Sequence, residues 1–350
     1  MAKPLKYNDE IERDIRLKLN EIQKELPKFC RNYFIGLENT TLPRTRLGYA
    51  YDIRLFFQYL IETNPVYSKI GIRNLEIKVL EEQSPMDIEE YMIYLKCYTK
   101  DGVIYTNNEN GIKRKMSAIR SLYAYFFKKE IISSNPTLMV SMPKLHEKAI
   151  IRLEANEIVS LLDVAESGMN MTKKQLEAHK RTKTRDVAIL TLLLGTGMRV
   201  SECVGIDIGD VSFEECQILV HRKGGKEVIL YFGDEVEEAL RNYMFERNDM
   251  HPAEGSENAL FLSLKNSRIS VRSVELLVKK YSMLSSTVKH ITPHKLRSTY
   301  GTRLYEESGD IYLVADVLGH KDVNTTRRHY AAIDEERRRS ARNQVRLRED

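Results

Sequence analysis

Five polar residues suited to holding and cleaving a phosphodiester are scattered through the second half of the chain, and a tyrosine follows them. They are Arg199 in TGMRVSE, Lys223 in HRKGGKE, His294 and Arg297 in PHKLR, and His320 in LGH, with Tyr330 downstream. A guanidinium offers a flat fork of donors that fits two phosphate oxygens at once, which an ammonium cannot do. Imidazoles move protons near neutral pH. A tyrosine hydroxyl, once deprotonated, can attack phosphorus. Such a set needs no metal, nucleotide or cofactor, and no motif for one stands elsewhere in the sequence.

The local sequence says how these residues are presented. Thr292 followed by Pro293 reads as a helix start, because proline at the first helical position forfeits no hydrogen bond. His294 and Arg297 then lie one turn apart near the positive end of the helix dipole, which favours anions. Taken alone, His294 is equally a satisfied buried histidine and Arg297 a surface ion pair. Arg199 leaves the end of an apolar segment, either as the ion-pair partner of Glu202 or as the anchor of a ligand. Lys223 falls at or beside a hairpin tip, as a proton donor or as an ordinary turn lysine. His320 follows Gly319, the stop of a helix over 310–319. His290 and His294 are four apart, but Pro293 intervenes and no carboxylate lies between them, so the pair does not read as a zinc motif.

The elements that must carry these residues predict a mainly α protein with a small antiparallel β-sheet, an α+β chain of two domains. Helices are expected over 9–26, 43–63 (with Thr41 as cap before Pro43), 86–99 and 111–129. The last places Ile112, Met116, Ile119, Tyr123 and Phe126 on one stripe and Lys113, Arg114, Lys115 and Arg120 off it, giving a four-helix unit with a basic face. Residues 133–149 hold Pro136 and Pro143 without clear periodicity and read as an extended interdomain linker. The boundaries that follow are 1–135 for a helical domain, 136–150 for the linker and 151–350 for the second domain. In that domain helices are expected over 152–167, 185–195, 234–247 and 271–284. The segment 185–195 is apolar on nearly every side, so it should be a buried central helix, stopped by Gly195 and Gly197. Residues 216–232 are two β-rich runs flanking Lys-Gly-Gly, a hairpin signal.

Composition sets outer bounds. With 42% hydrophobic and 30% charged residues over 350 positions, the chain can bury two cores. A net charge of +5 permits a polyanion partner without requiring one. The basic residues cluster at 111–129 and 173–185, which says more than the sum. Cys30, Cys97, Cys203 and Cys216 form no CxxC pair, the usage of reduced thiols in a cytoplasmic protein. No apolar run follows the lysines of MAKPLKYNDE, so no signal peptide is expected. The longest apolar stretch, 187–195, is far short of the ~18–20 residues that span a bilayer, so no membrane anchor is expected.

The combination and order of these segments resemble the tyrosine recombinase (phage integrase) family, and among its members the Xer-like site-specific recombinases. TRLGYAYDIRLFFQYL and KRKMSAIRSLYAYFFKKEIISSNP resemble the family's core-binding domain. GTGMRVSE, the RKGGK hairpin, ITPHKLRSTYGTRLY and VLGHKDVNTTRRHY resemble its catalytic domain. The resemblance implies a two-domain clamp on DNA that cuts and rejoins strands through a 3′-phosphotyrosine, without metal or ATP. It implies that Arg199 and Arg297 clamp the scissile phosphate, that Glu202 orients Arg199 and that His320 adds a hydrogen bond. It further implies that His294 accepts the tyrosine proton, that Lys223 protonates the leaving 5′ oxygen and that Tyr330 is the nucleophile. Implied partners are double-stranded DNA with an inverted-repeat core site, contacted by Lys113, Arg114, Lys115 and Arg120 of the basic helix, and further copies of the chain, as a tetramer on paired sites. The implied biological setting is chromosome-dimer resolution, with chromosome partition at cell division, or mobile-element integration and excision. A type IB topoisomerase and a DNA-binding accessory factor without catalysis are the alternatives. Two positions depart from the family pattern. Ser298 stands where relatives often carry histidine, and Tyr330 lies ten residues after His320 where nine is common. One residue in a helix turns a side chain by ~100°, so the segment between must absorb the extra residue.

Overall fold

A computed structural model describes residues 7–144, 151–222, 225–285, 289–319 and 323. The chain divides into two units, Met1–Lys148 and Ala149–Asp350.

In the first unit, α1 (Tyr7–Glu25) and α2 (Cys30–Gly36) precede the long α3 (Pro43–Thr63). Pro43 fixes the first turn of α3. Its N-cap is Leu42 and makes no side-chain bond, so Thr41 is not the cap that the sequence suggested. Two short turns, α4 (Pro65–Ser68) and α5 (Lys78–Glu81), lead to α6 (Pro85–Tyr94). There Ser84 and Asp87 form a capping box: the Ser84 hydroxyl accepts the Asp87 N–H and the Asp87 carboxylate accepts the Ser84 N–H. The helix expected over 86–99 stops at Tyr94. The chain then forms a hairpin of β1 (Cys97–Lys100) and β2 (Val103–Thr106), with Cys97 opposite Thr106. The signal was present in Asp101-Gly102. Both residues take positive φ, 51° and 75°, as a type I′ turn requires. Tyr94, Tyr98 and Tyr105 stack in sequence and fasten the hairpin to α6.

The last helix of this unit is α7 (Glu109–Lys128). Its Ile112, Met116, Ile119, Tyr123 and Phe126 are all buried, as their spacing predicts. They meet Ile53, Phe56, Phe57 and Leu60 of α3 and Tyr91 of α6 in one core. Each such side chain contributes roughly 1.5–3 kcal/mol on burial. Residues 136–144 differ from the extended linker expected there. Pro136–Leu138 is a 3₁₀ turn on the first unit, Pro136 and Val140 are buried, and the Val140 carbonyl accepts a bond from Arg120 at 2.5 Å. Proline barred an α-helix here, but it did not prevent apolar side chains from packing. Residues 145–150 lie outside the described residues.

The second unit is built around α10 (Lys183–Thr196), after α8 (Ala155–Ser167) and α9 (Lys173–Lys180). Ala188, Ile189, Leu190, Leu192 and Leu193 are wholly buried, so α10 is the central helix that its apolar run predicted. It runs through Gly195 and is capped by Gly197 at φ 61°. Then come α11 (Val200–Val204), β3 (Val211–Ser212), β4 (Gln217–Arg222) and β5 (Lys226–Tyr231). The three strands form an antiparallel sheet in sequence order, Gln217 facing Tyr231 and Arg222 facing Lys226. Helices α12 (Asp234–Asn248), α13 (Val271–Leu284), α14 (Pro293–Ser308) and α15 (Ile311–Leu318) complete the described part. Among the described residues no helix is long and apolar enough to cross a membrane.

A buried polar chain ties α9, α10 and α13 together. His179 Nδ1 lies 3.1 Å from the Tyr281 hydroxyl, which donates to Asp186 at 2.8 Å. Arg185 and Lys280 also bind Asp186, at 2.6 and 3.3 Å. Burial, and then the positive charge of Lys280, lower the pKa of His179 below its ordinary 6.5, against the opposing pull of Asp186. The folded unit therefore favours the neutral ring, while the unfolded chain takes up a proton first as pH falls. His179 contributes full stability above about pH 6.5 and loses it below that value. Thermal melts between about pH 7.5 and 5.5 should show the midpoint falling with pH, and His179→Gln should flatten the slope. Equal slopes in the two proteins would rule this out.

Candidate active site

The site is organised by the end of one helix. The last carbonyls of any α-helix have no partner inside it, and those of α15 are met by arginines from three separate elements. Arg222, the last residue of β4, donates to the carbonyls of Val317 at 2.6 Å and Asp316 at 3.4 Å. Arg297, one turn into α14, donates to the Leu318 carbonyl and, at 2.7 Å, to the Gly197 carbonyl. Arg199, at the N-cap of α11, reaches the Gly319 carbonyl at 3.3 Å. Four successive carbonyls thus each take a guanidinium N–H, at the negative end of the helix dipole where cations belong.

Two glycines make this approach possible. Gly197 (φ 61°) turns the chain from α10 to Arg199, and a Cβ there would lie 2.3 Å from the Tyr300 ring. Gly319 (φ 61°) caps α15, and a Cβ there would lie 2.3 Å from the Arg222 guanidinium. At both positions the left-handed backbone and the crowding independently require glycine.

Glu202 holds Arg199 twice. One carboxylate oxygen accepts the Arg199 backbone N–H at 2.8 Å, and the other accepts its guanidinium at 2.7 Å. The carboxylate is buried, with its side chain 4% exposed, while that of Arg199 remains 40% exposed. Arg222 Nε stands 3.8 Å from the same Glu202 oxygen. Two guanidinium charges, those of Arg199 and Arg222, therefore face one buried carboxylate, with Asp316 also near enough to act on Arg222. Burial lowers the pKa of Arg222, as does repulsion from Arg199, while Glu202 and Asp316 oppose the shift. An arginine stays charged under such shifts.

Of the six residues expected to do chemistry, Arg199 and Arg297 are brought to the same helix end. His294 occupies the first turn of α14 and is exposed, while Arg297, three residues on, is buried. Ser298 donates to the His294 carbonyl at 3.1 Å, an ordinary use of a helical serine. Lys223, His320 and Tyr330 lie outside the described residues. Lys223 directly follows Arg222, and His320 directly follows Gly319. Arg222 itself was missed. Its signal is the period of two in β4: Ile218 and Val220 are buried, and Arg222 is the next residue on their face. Among the described residues no group of three or more His, Cys, Asp or Glu could hold a metal ion.

The four basic residues proposed from α7 for DNA are not equivalent. Arg114 makes a two-pronged ion pair with buried Asp52, at 2.5 and 2.7 Å. Burial raises the Asp52 carboxyl pKa, and Arg114 counters the shift. Lys115 donates to the Asn107 side chain at 2.9 Å, and burial lowers its pKa. Arg120 is spent on the Val140 carbonyl. Lys113 is exposed.

Residues 152–337 match the phage integrase family. The chain is 32% identical to the tyrosine recombinase XerC of Caldanaerobacter subterraneus subsp. tengcongensis, covering 89% of this chain and 84% of that protein. It is 28% identical to the tyrosine recombinase XerS of Streptococcus pneumoniae, covering 94% and 98%. The XerH site-specific recombinase, in a post-cleavage complex with palindromic difH substrate, superimposes with a TM-score of 0.61 at 20% identity, covering 95% and 93%. The Tn1549 transposon integrase in complex with circular intermediate DNA gives a TM-score of 0.61 at 20% identity, covering 89% and 99%. These two structures share the fold. The chain belongs to the phage integrase family and is an Xer-like tyrosine recombinase. Neither a type IB topoisomerase nor a DNA-binding factor without catalysis is favoured by these relatives.

Gly197→Ala tests the frame. A left-handed alanine costs ~1–2 kcal/mol and crowding against Tyr300 roughly 1–3 kcal/mol more. Urea unfolding should show a loss within the combined range, and an unchanged midpoint would refute the packing described.

Proposed function

We propose that the chain cuts and rejoins double-stranded DNA at a specific inverted-repeat core site, with Tyr330 as the nucleophile. The observation that carries this reading is the meeting of Arg199 and Arg297 at the carbonyls that immediately precede His320, in a chain of this family. Arg199 and Arg297 hold the non-bridging oxygens of the scissile phosphate and stabilise the charge that builds on them during attack. His320 adds a hydrogen bond to the same phosphate.

The Tyr330 oxygen attacks phosphorus while His294 accepts its proton. A 3′-phosphotyrosine bond forms, and the bond to the 5′ oxygen breaks with its electron pair left on that oxygen. Lys223 supplies the proton that oxygen needs. The ester retains the energy of the broken bond, so a 5′-hydroxyl from a partner strand reseals it by the reverse steps without ATP. Four copies on two paired sites supply the strands exchanged. The reading places the protein in the cytoplasm, in chromosome-dimer resolution or mobile-element movement. Residues 1–135 act as core-binding domain and 151–350 as catalytic domain.

The site sequence is recovered by incubating the protein with a library of nicked duplexes carrying randomised cores and capturing the covalent adducts. Wild-type protein should yield detergent-resistant adducts, and Tyr330→Phe none. Adducts that persist in the Phe variant would sink the assignment of the nucleophile.

Lys113, Arg114, Lys115 and Arg120 all entered the reading as DNA contacts; Lys113 is exposed, whereas Arg114, although exposed, is paired with the Asp52 carboxylate. Lys113→Ala should weaken binding alike on all sequences and reduce the salt slope by about one, with the thermal midpoint unchanged. Arg120→Ala should instead lower the midpoint, through loss of the Val140 bond. The opposite pattern in binding and melting data would reverse these roles.

A further inference from the structure

We infer that Arg222 is a positioning residue for protonation of the leaving group, tying the base of the β4–β5 hairpin to the helix end that carries the phosphate-binding arginines. The inference rests on the recombinase reading above and assigns a role to a residue which that reading does not use.

Arg222 is built into the site. Its side chain is 10% exposed, so it offers little surface to an incoming strand. Two nitrogens of its fork are held by the Asp316 and Val317 carbonyls, and its Nε is buried against Glu202 with no hydrogen-bond partner among the described residues. Gly319 leaves the space the guanidinium fills. The same Glu202 oxygen that lies 3.8 Å from Arg222 holds Arg199 at 2.7 Å. One side chain thus fixes the end of β4 to the end of α15 and to the carboxylate that aims Arg199. The residue after Arg222 is Lys223, the proposed proton donor. A general acid acts only within hydrogen-bond reach of the atom it protonates. The Arg222 contacts fix the chain one residue before Lys223 to the frame that holds the phosphate-binding arginines.

A positioning role has a signature that phosphate binding or bulk stability lacks. In the cleavage step the bond from phosphorus to the 5′ oxygen breaks, its electron pair stays on that oxygen, and the oxygen takes a proton from Lys223. A duplex with sulfur in place of that bridging oxygen releases a thiolate. Thiols have a pKa of about 8.5, far below that of an alcohol, so the thiolate leaves without a proton.

The test measures the rate of covalent adduct formation on a nicked duplex of the captured sequence, in oxygen and sulfur versions, for wild type, Arg222→Met, Arg222→Lys, Lys223→Ala and Arg199→Lys. Arg222→Met should slow the oxygen substrate by ~100-fold, the low end of a general-acid contribution, and recover most of that loss on the sulfur substrate, as Lys223→Ala should. Arg222→Lys keeps the charge without the fork and should fall between wild type and Arg222→Met. Arg199→Lys should remain slow on both substrates. Wild-type rates for Arg222→Met on the oxygen duplex would overturn the inference. Equal losses on both duplexes would also overturn it, because they mean that Arg222 supports the phosphate site or the fold. If wild-type protein forms no adduct on either substrate, the recombinase reading itself fails.

Discussion

The carbonyl end of α15 is the constraint on which the rest of the catalytic unit depends. A helix that ends inside a protein leaves carbonyls needing donors, and a buried guanidinium needs acceptors for up to five N–H groups. Here each deficit meets most of the other, with Arg222 Nε left without a hydrogen-bond partner among the described residues. Arg222, Arg297 and Arg199 come from a strand end, a helix start and a helix cap, and α15 is where they meet. Hydrogen bonds to charged groups are worth about 1.5–3 kcal/mol each, and an unmet buried partner costs a similar amount. Moving α15 would therefore orphan groups on β4, α11 and α14 together.

The choice of carbonyls as acceptors matters for chemistry as much as for stability. A carboxylate opposite each arginine would neutralise it and compete with a phosphate for its fork. Backbone carbonyls orient a guanidinium through their dipoles without cancelling its charge. Among the described residues Glu202 is the carboxylate bound to Arg199, and it meets a side chain that stays 40% exposed. The site so assembled keeps an excess of positive charge with its geometry already set, the condition under which electrostatic stabilisation needs no reorganisation during reaction.

Much of this was legible in the sequence because strong local signals coincided with tertiary need. Thr292-Pro293 began α14, the apolar run of 185–195 lay at the heart of α10, and Lys-Gly-Gly marked the β4–β5 hairpin. The misses have physical causes. The helix expected over 86–99 was drawn on past Tyr94 by continued apolar residues, although Asp101-Gly102 announced a turn. Residues 136–144 lacked periodicity and still packed, because burial of Pro136 and Val140 needs no regular backbone. Arg222 was passed over because it stands beside Lys223, and a lysine at a hairpin tip invites a reading of solvent exposure for its neighbour. Arg199 and Arg297 were found by residue type. Their use of carbonyls from a helix over a hundred residues away in sequence for Arg199, and twenty-one for Arg297, could not be read locally.

Basic residues in this chain also show why clustering alone does not define a nucleic-acid surface. On α7, four cations within eight positions read as one face, yet Arg114 is committed to Asp52, Lys115 to Asn107 and Arg120 to a backbone carbonyl. Commitment is not the same in each case. Arg114 stays 56% exposed beside an almost fully buried carboxylate, so its charge is largely matched in place. Arg120 donates to a neutral carbonyl, so its charge is held but not cancelled. The same distinction separates Arg199 from Arg222 in the second unit. What decides whether a cation can serve an incoming phosphate is therefore the pair of quantities that sequence does not display, the charge of its internal partner and the fraction of its donors that partner leaves unused.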